Sequence, residues 1–161
     1  MYQQILRQSQ KGDVRAFPCL PDRGQFHLRD RSAEFPRVSD AVIGRKHRFG
    51  YEMSMGDAGF GEVGEGAILK YDRESGARTS IELGMGRVSG EVVFAPADNA
   101  KNEDDGYLMT FIYDAPSDTS EFVIFDAATM SPDPVATVPL PRVPFGFHSS
   151  WVPSSSITDG Q

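Results

Sequence analysis

The strongest structural signal in this chain is the stretch Ala67-Ile68-Leu69-Lys70-Tyr71-Asp72-Arg73-Glu74-Ser75-Gly76-Ala77-Arg78-Thr79-Ser80-Ile81-Glu82-Leu83. Its two halves are rich in apolar and β-branched residues, and the polar residues between them end in Gly76, which is typical of a tight turn. The stretch therefore predicts a β-hairpin with strands over residues 67–72 and 78–83.

The rest of the chain repeats this pattern of short strands separated by turns. Further strands are predicted at residues 1–9, 14–17, 48–53, 91–95, 107–114, 121–126 and 135–140. The runs at 107–114 and 121–126 are almost continuously apolar, which is typical of strands buried on both faces. Since no segment shows a sustained 3.6-residue apolar period, the fold is predicted to be almost wholly β.

A weak internal repeat indicates how the strands are arranged. Leu69-Lys70-Tyr71-Asp72 and Phe111-Ile112-Tyr113-Asp114 lie 42 residues apart, close to the roughly 40–45 residues of a four-stranded propeller blade. This spacing favours stacked antiparallel blades over an immunoglobulin-like sandwich. Because about four to eight blades close a propeller ring, the chain is expected to hold only part of one.

Charge and cysteine content narrow the classes of partner and compartment. A net charge of −7 argues against nucleic acid or an anionic membrane surface as the main partner, and the basic cluster at residues 45–48 is read as a solvated turn. With Cys19 as the single cysteine, no intrachain disulfide can form, which favours the cytoplasm. No apolar run is long enough for a signal peptide or a transmembrane helix.

Three residues stand out as candidates for chemistry. His148 lies in the aromatic stretch Val143-Pro144-Phe145-Gly146-Phe147-His148-Ser149-Ser150-Trp151, where an imidazole shielded from water suits a metal ligand or a hydrogen-bonded core residue. Glu34 and Glu91 each lie at the edge of an apolar strand, where a carboxylate needs a partner such as a metal-bound histidine. His27 has no second ligand-type residue at a suitable spacing.

Taken together, these motifs resemble the C-terminal third of the carotenoid cleavage oxygenases, the family that includes the lignostilbene dioxygenases. The resemblance covers about residues 32–153. The motifs that carry it are Glu34-Phe35-Pro36-Arg37-Val38, the turn and strand at residues 44–51, residues 66–78, Gly90-Glu91-Val92-Val93-Phe94, Glu103-Asp104-Asp105-Gly106 and Phe145-Gly146-Phe147-His148.

The resemblance implies a seven-bladed β-propeller with Fe(II) on its axis, bound by four histidines, three of which are held by glutamates. His148 matches the last iron ligand, and Glu34 and Glu91 match two of the glutamates. Imidazole suits Fe(II), and a carboxylate on the other ring nitrogen orients the ring. Ser149 and Val92 depart from the glycine and proline that are common at their positions. Since only His148 matches a ligand position, the chain alone is not expected to assemble the site.

The resemblance also implies a domain organisation and an activity. Residues 1–31 are expected to form a poorly matching hairpin and loop, residues 32–153 the C-terminal part of the propeller, and residues 154–161 a flexible tail. The complete enzyme is expected to cleave a conjugated C=C bond of a carotenoid, apocarotenoid or stilbene with O2, giving two carbonyl products. The chain alone is expected to be inactive and to self-associate through its unclosed blades.

Two other interpretations remain open from the sequence. In the first, the chain is a non-catalytic β-rich fragment or interaction module, and His148 is a structural core residue. In the second, His148, Glu34 and Glu91 are all direct metal ligands, a set with little imidazole for an oxygenase iron site.

Overall fold

The computed structural model describes residues 31–56, 63–146 and 148–157. Within these ranges the chain is all-β, as predicted, with two short 3-10 turns at Asp40–Val42 and Ser154–Ser156 and no α-helix. The part of the chain that the structure describes has no helix with the length and apolarity to cross a membrane. The strands are β1 (Glu34–Arg37), β2 (Phe49–Ser54), β3 (Ala67–Asp72), β4 (Arg78–Glu82), β5 (Arg87–Ser89), β6 (Val93–Pro96), β7 (Gly106–Asp114), β8 (Thr119–Asp126) and β9 (Ala136–Leu140).

The strands form two antiparallel sheets that follow the order of the chain. The first sheet has the order β1-β2-β3-β4. In the second sheet, β5 and β6 both pair with β7, which is followed by β8 and β9. Two such meanders that do not close into a ring are the architecture of part of a β-propeller, which confirms the predicted fold class.

One hydrophobic core lies between the two sheets. Its buried side chains come from both, including Tyr51, Met53 and Ile68 from the first sheet and Leu108 and Ile112 from the second. The backbones also meet, because the Gly66 N–H donates to the Arg87 carbonyl oxygen at 2.9 Å. A Cβ atom at position 66 would collide with that carbonyl, so glycine is required where the sheets approach most closely.

The first strand of each sheet carries a one-residue β-bulge. In the first sheet, Glu34 pairs with Met53 and Arg37 with Tyr51, so two residues of β1 oppose one residue of β2. In the second sheet, Ser89 pairs with Ile112 and Val93 with Met109, so three residues between β5 and β6 oppose two of β7. β5 and β6 are therefore the two halves of one strand, interrupted around Glu91. Bulges of this kind re-aim side chains and are frequent beside active sites.

The structural repeat differs from the one seen in the sequence. The hairpin β3–β4 is where the sequence predicted it. However, Leu69–Asp72 lies in the third strand of its sheet, whereas Phe111–Asp114 lies in the second strand of the other sheet. The equivalent elements are the two bulged first strands, with Glu34 immediately before one bulge and Glu91 within the other.

Two predictions about individual strands were wrong in detail. The strand predicted to begin at Glu91 begins at Val93, because the bulge takes the preceding residues out of the ladder. The strand β7 is buried on one face only, with Phe111 on the opposite face 44% exposed, and β8 is only partly buried on both faces. The apolar runs are long because the outward face of these strands is also apolar, and no described residue covers that face completely.

Several sequence-based predictions lie outside the described residues. These are the N-terminal hairpin, the surroundings of Cys19 and His27, most of the glycine-rich run at 56–66, and the last part of the tail.

Candidate metal centre

The carboxylate of Glu91 lies at the centre of the candidate site. Its position in the interrupted strand turns the side chain towards the C-terminal segment, and only 3% of the side chain is exposed. One oxygen, Oε2, accepts a hydrogen bond from the Ser149 backbone N–H at 2.6 Å. The other, Oε1, lies 3.4 Å from Nδ1 of His148, which is long for a hydrogen bond. The carboxylate thus contacts two consecutive residues of the segment that carries the histidine.

The imidazole of His148 is held from two sides. Nδ1 faces Glu91, and the ring contacts the Phe35 ring edge to face at a centroid distance of 5.6 Å. Phe35 belongs to the bulge of β1 and has a positive φ of 54°, a conformation that non-glycine residues rarely adopt and that clusters at functional sites. The first strands of both sheets therefore meet at His148.

His148 is far more exposed than the sequence indicated. Its aromatic neighbours predicted a ring shielded from water, yet 77% of the side chain is exposed. This prediction was wrong because residues 141–146 and 148–153 form no strand and lie at the surface, where Phe145 and Trp151 are also exposed. Within the described part of this chain, His148 is therefore not packed in the core.

Arg37 is a third partner of Glu91 that the sequence analysis missed. Its guanidinium lies 3.6 Å from Glu91 Oε1, and it is the one lysine or arginine paired with this carboxylate in the described part of the chain. Arg37 is the last residue of β1, three positions after Glu34. The only signal in the sequence was its place in the same motif as Glu34, and the bulge that directs it towards Glu91 could not be seen there.

Glu34 is not brought into contact with His148. It lies at the start of β1 with an exposed side chain, and within the described ranges its carboxylate has no hydrogen bond or ion pair. The structure therefore joins two of the three residues predicted for the site, His148 and Glu91. Glu34 lies immediately before the bulge of β1 in the neighbouring sheet.

These residues fit one corner of a metal site. With Nδ1 directed at Glu91, the exposed Nε2 is the nitrogen that can bind a metal, and a carboxylate behind a metal-bound imidazole is the usual supporting contact. The described residues contain no group of three or more His, Cys, Asp or Glu side chains that could hold a metal ion. The chain therefore fits a metal site as the donor of one ligand.

An apolar cavity of about 150 Å³ adjoins His148 and Glu91. Val88, Phe111, Tyr113, Val143 and Phe145 contribute its walls. A second cavity of about 240 Å³ shares Val88, Tyr113, Val143 and Phe145 and continues the apolar surface. The exposed nitrogen of His148 thus lies beside space suited to an apolar molecule.

Two carboxylates of the acidic run at residues 103–105 contact the first sheet. Glu103 accepts hydrogen bonds from the backbone N–H groups of Arg48 and Phe49, and Asp104 pairs with buried Lys70 at 2.6 Å. Burial raises the pKa of Tyr51, and the charges of Asp104 and Glu103 raise it further. The run joins the two sheets that carry β1 and Glu91, so it supports the site from a distance.

The comparisons with known proteins agree on one family. The family model described as Retinal pigment epithelial membrane protein (RPE65) matches residues 4–153. A carotenoid cleavage oxygenase of Mycobacterium tuberculosis is 39% identical over 132 residues, which are 78% of this chain and 26% of that protein.

Solved structures give the same result. The cobalt-substituted apocarotenoid oxygenase of Synechocystis matches with a TM-score of 0.68 and 35% identity over 76% of this chain and 26% of that chain. A chimera of that oxygenase with RPE65 matches equally well. The chain therefore spans about a quarter of the length of the relatives it matches.

Proposed function

This chain belongs to the family of carotenoid cleavage oxygenases, and from that premise we propose that it is the C-terminal portion of a non-haem Fe(II) dioxygenase. The observation that carries the proposal is the pairing of Glu91 with His148 in a chain of this family. The substrate is an apolar conjugated carotenoid, apocarotenoid or stilbene. In the complete enzyme, one C=C bond and one O2 become two carbonyl groups.

The role of each residue follows from its contacts. His148 offers Nε2 to the iron, while Glu91 accepts a hydrogen bond from the protonated Nδ1 and so selects the tautomer that can bind a metal. Glu34, immediately before the bulge of β1, supports a second histidine that lies outside this chain. Bound iron supplies the activation of O2.

The apolar cavity supports the choice of substrate class. Its aliphatic and aromatic walls favour a conjugated hydrocarbon chain, because they offer dispersion contacts without demanding polar partners. The same walls place the substrate beside His148. We further propose that residues 32–153 form the propeller part of the chain. We also propose a cytoplasmic enzyme, because Cys19 is the single cysteine of this chain.

The test uses a complete site. In a chimera, residues 32–153 of this chain replace the matching C-terminal part of the Synechocystis apocarotenoid oxygenase, an exchange made plausible by the chimera of that enzyme that has already been solved. His148→Ala should abolish stoichiometric iron and cleavage of an apocarotenoid.

The matched control for this variant is His47→Ala. Both ring nitrogens of His47 are engaged, with Arg73 at 2.9 Å and the Arg45 carbonyl oxygen at 3.2 Å, far from any proposed ligand position. This variant should keep its iron. Unchanged iron content in the His148 variant would overturn the assignment and favour the interaction-module interpretation.

A further inference from the structure

We propose that Arg37 is a positioning residue that holds the Glu91 carboxylate in the orientation needed to support His148. This inference rests on the proposed function and adds to it a cationic residue behind the glutamate. Its starting point is geometric, because Arg37 approaches Glu91 from β1 of the first sheet, whereas Glu91 and His148 both belong to the second sheet and its C-terminal extension.

Three groups surround the Glu91 carboxylate. Oε2 accepts the Ser149 N–H, and Oε1 lies between His148 Nδ1 and the Arg37 guanidinium, at 3.4 and 3.6 Å. Rotation of the carboxylate about its last bond would move Oε1 away from both. Arg37 therefore opposes the same rotation that would release His148.

The burial of the Glu91 side chain gives a second reason for the ion pair with Arg37. Glu91 has a side chain that is 3% exposed, and a buried carboxylate without a countercharge is strongly disfavoured. When the imidazole is neutral, as metal binding requires, it supplies no positive charge of its own. Among the lysines and arginines in the described parts of the chain, Arg37 alone is paired with Glu91. It places a positive charge beside the buried carboxylate, on the side away from His148's metal-binding nitrogen.

The backbone of β1 determines the direction of the Arg37 side chain. Arg37 reaches Glu91 only because the bulge of β1 shifts its register against β2 by one residue, which changes the direction of the side chains that follow. The bulges of the two sheets are thus connected through this ion pair. A role in positioning explains why a half-buried arginine ends the same short strand that begins with Glu34.

The experiment measures Co(II) binding in the chimera described above, without O2, by competition with a chelator and by the visible absorption of bound Co(II). Arg37→Met removes the charge and keeps much of the side-chain volume. We expect about tenfold weaker Co(II) binding, at the lower end of the range for supporting contacts of metal ligands, and an altered Co(II) spectrum. Arg37→Lys, which keeps the charge, should recover part of the affinity.

The matched control is Arg87→Met. Arg87 also forms a half-buried ion pair in the second sheet, with Glu121 at 2.6 Å, but it does not contact Glu91. This variant should bind Co(II) within about twofold of the parent, with an unchanged spectrum, if loss of an ion pair acts only on stability.

The outcomes separate the two proposals. If Arg37→Met and Arg87→Met bind Co(II) equally and give the parent spectrum, while His148→Ala loses the metal, Arg37 has no positioning role. If His148→Ala retains Co(II), the proposed function itself is overturned. Circular dichroism and size-exclusion chromatography check that each variant folds. If Arg37→Met does not fold, Co(II) binding by Arg37→Gln, which is also uncharged but polar, is compared in the same way.

Discussion

Two groups converge on the side chain at position 91, the backbone N–H of Ser149 and Nδ1 of His148, which carries the ring proton when Nε2 binds a metal. Only a carboxylate can accept from both, because it has two acceptor oxygens, whereas a glutamine amide has one acceptor and one donor group. Glu91→Gln therefore loses one of the two contacts whichever way the amide is turned. In the chimera we expect a 10- to 100-fold loss of metal affinity or activity, measured by iron content and turnover.

The control for this prediction is another carboxylate of the same sheet. Glu121 of β8 pairs with Arg87 of β5 and forms no ion pair with His148. Glu121→Gln should therefore leave the iron content unchanged. Equal iron content in the two glutamine variants would contradict the supporting role of Glu91.

At the scale of strands, the two sheets are joined by a buried lysine of β3. The Lys70 ammonium lies 2.6 Å from Asp104 and 2.7 Å from the Ala127 carbonyl oxygen, and it packs over the Phe49 ring at 4.4 Å from the centroid. Removing it would leave a half-buried carboxylate and a carbonyl without their donor. Because these groups are costly to bury unpaired, the lysine holds the strands in a defined relative position.

Lys70→Met tests this role. We expect a loss of about 2–3 kcal/mol in the free energy of unfolding, below the usual value for a fully buried pair because Asp104 is partly exposed. The measurement is urea denaturation of the chimera followed by circular dichroism. Exposed Lys101 provides the control, and if Lys101→Met were equally destabilising, the link between the sheets would be unimportant.

At the scale of the whole molecule, the second sheet leaves an apolar face open. Phe111 and Val138 are 44% and 49% exposed, and Phe111 packs against Phe122 of the neighbouring strand. In a propeller, such a face is covered by the next blade, and an open apolar face or sheet edge promotes association. The architecture thus indicates that the two sheets need further chain, or another molecule, beside them.

The isolated chain should therefore bind little iron, show no cleavage and self-associate. One histidine at a candidate ligand position is too few to hold iron tightly, and without held iron O2 is not activated. The test is to express residues 1–161, dialyse the protein against Fe(II) without O2, and measure bound metal, cleavage of a stilbene and a carotenoid, and size by chromatography. A monomer with one iron per chain and turnover would contradict both the ligand set and the partial propeller.

The sequence by itself determined the β class, most of the strands and the residues that mark the family. These features are local: the two-residue alternation and the turn after Asp72 depend on neighbouring residues, so they can be recognised without knowing the fold. His148, Glu34 and Glu91 could be selected because a single histidine and two isolated carboxylates are unusual in apolar surroundings.

Only the tertiary structure decided how these residues meet. A shift of one residue in the pairing of β1 with β2, and of β5 and β6 with β7, directs Arg37 and Glu91 to the same point, and strand composition does not encode such a shift. Glu91 and His148 are 57 residues apart, and Lys70 and Asp104 are 34 apart. Their contacts depend on how two sheets pack, because burial and charge pairing are properties of the assembled molecule.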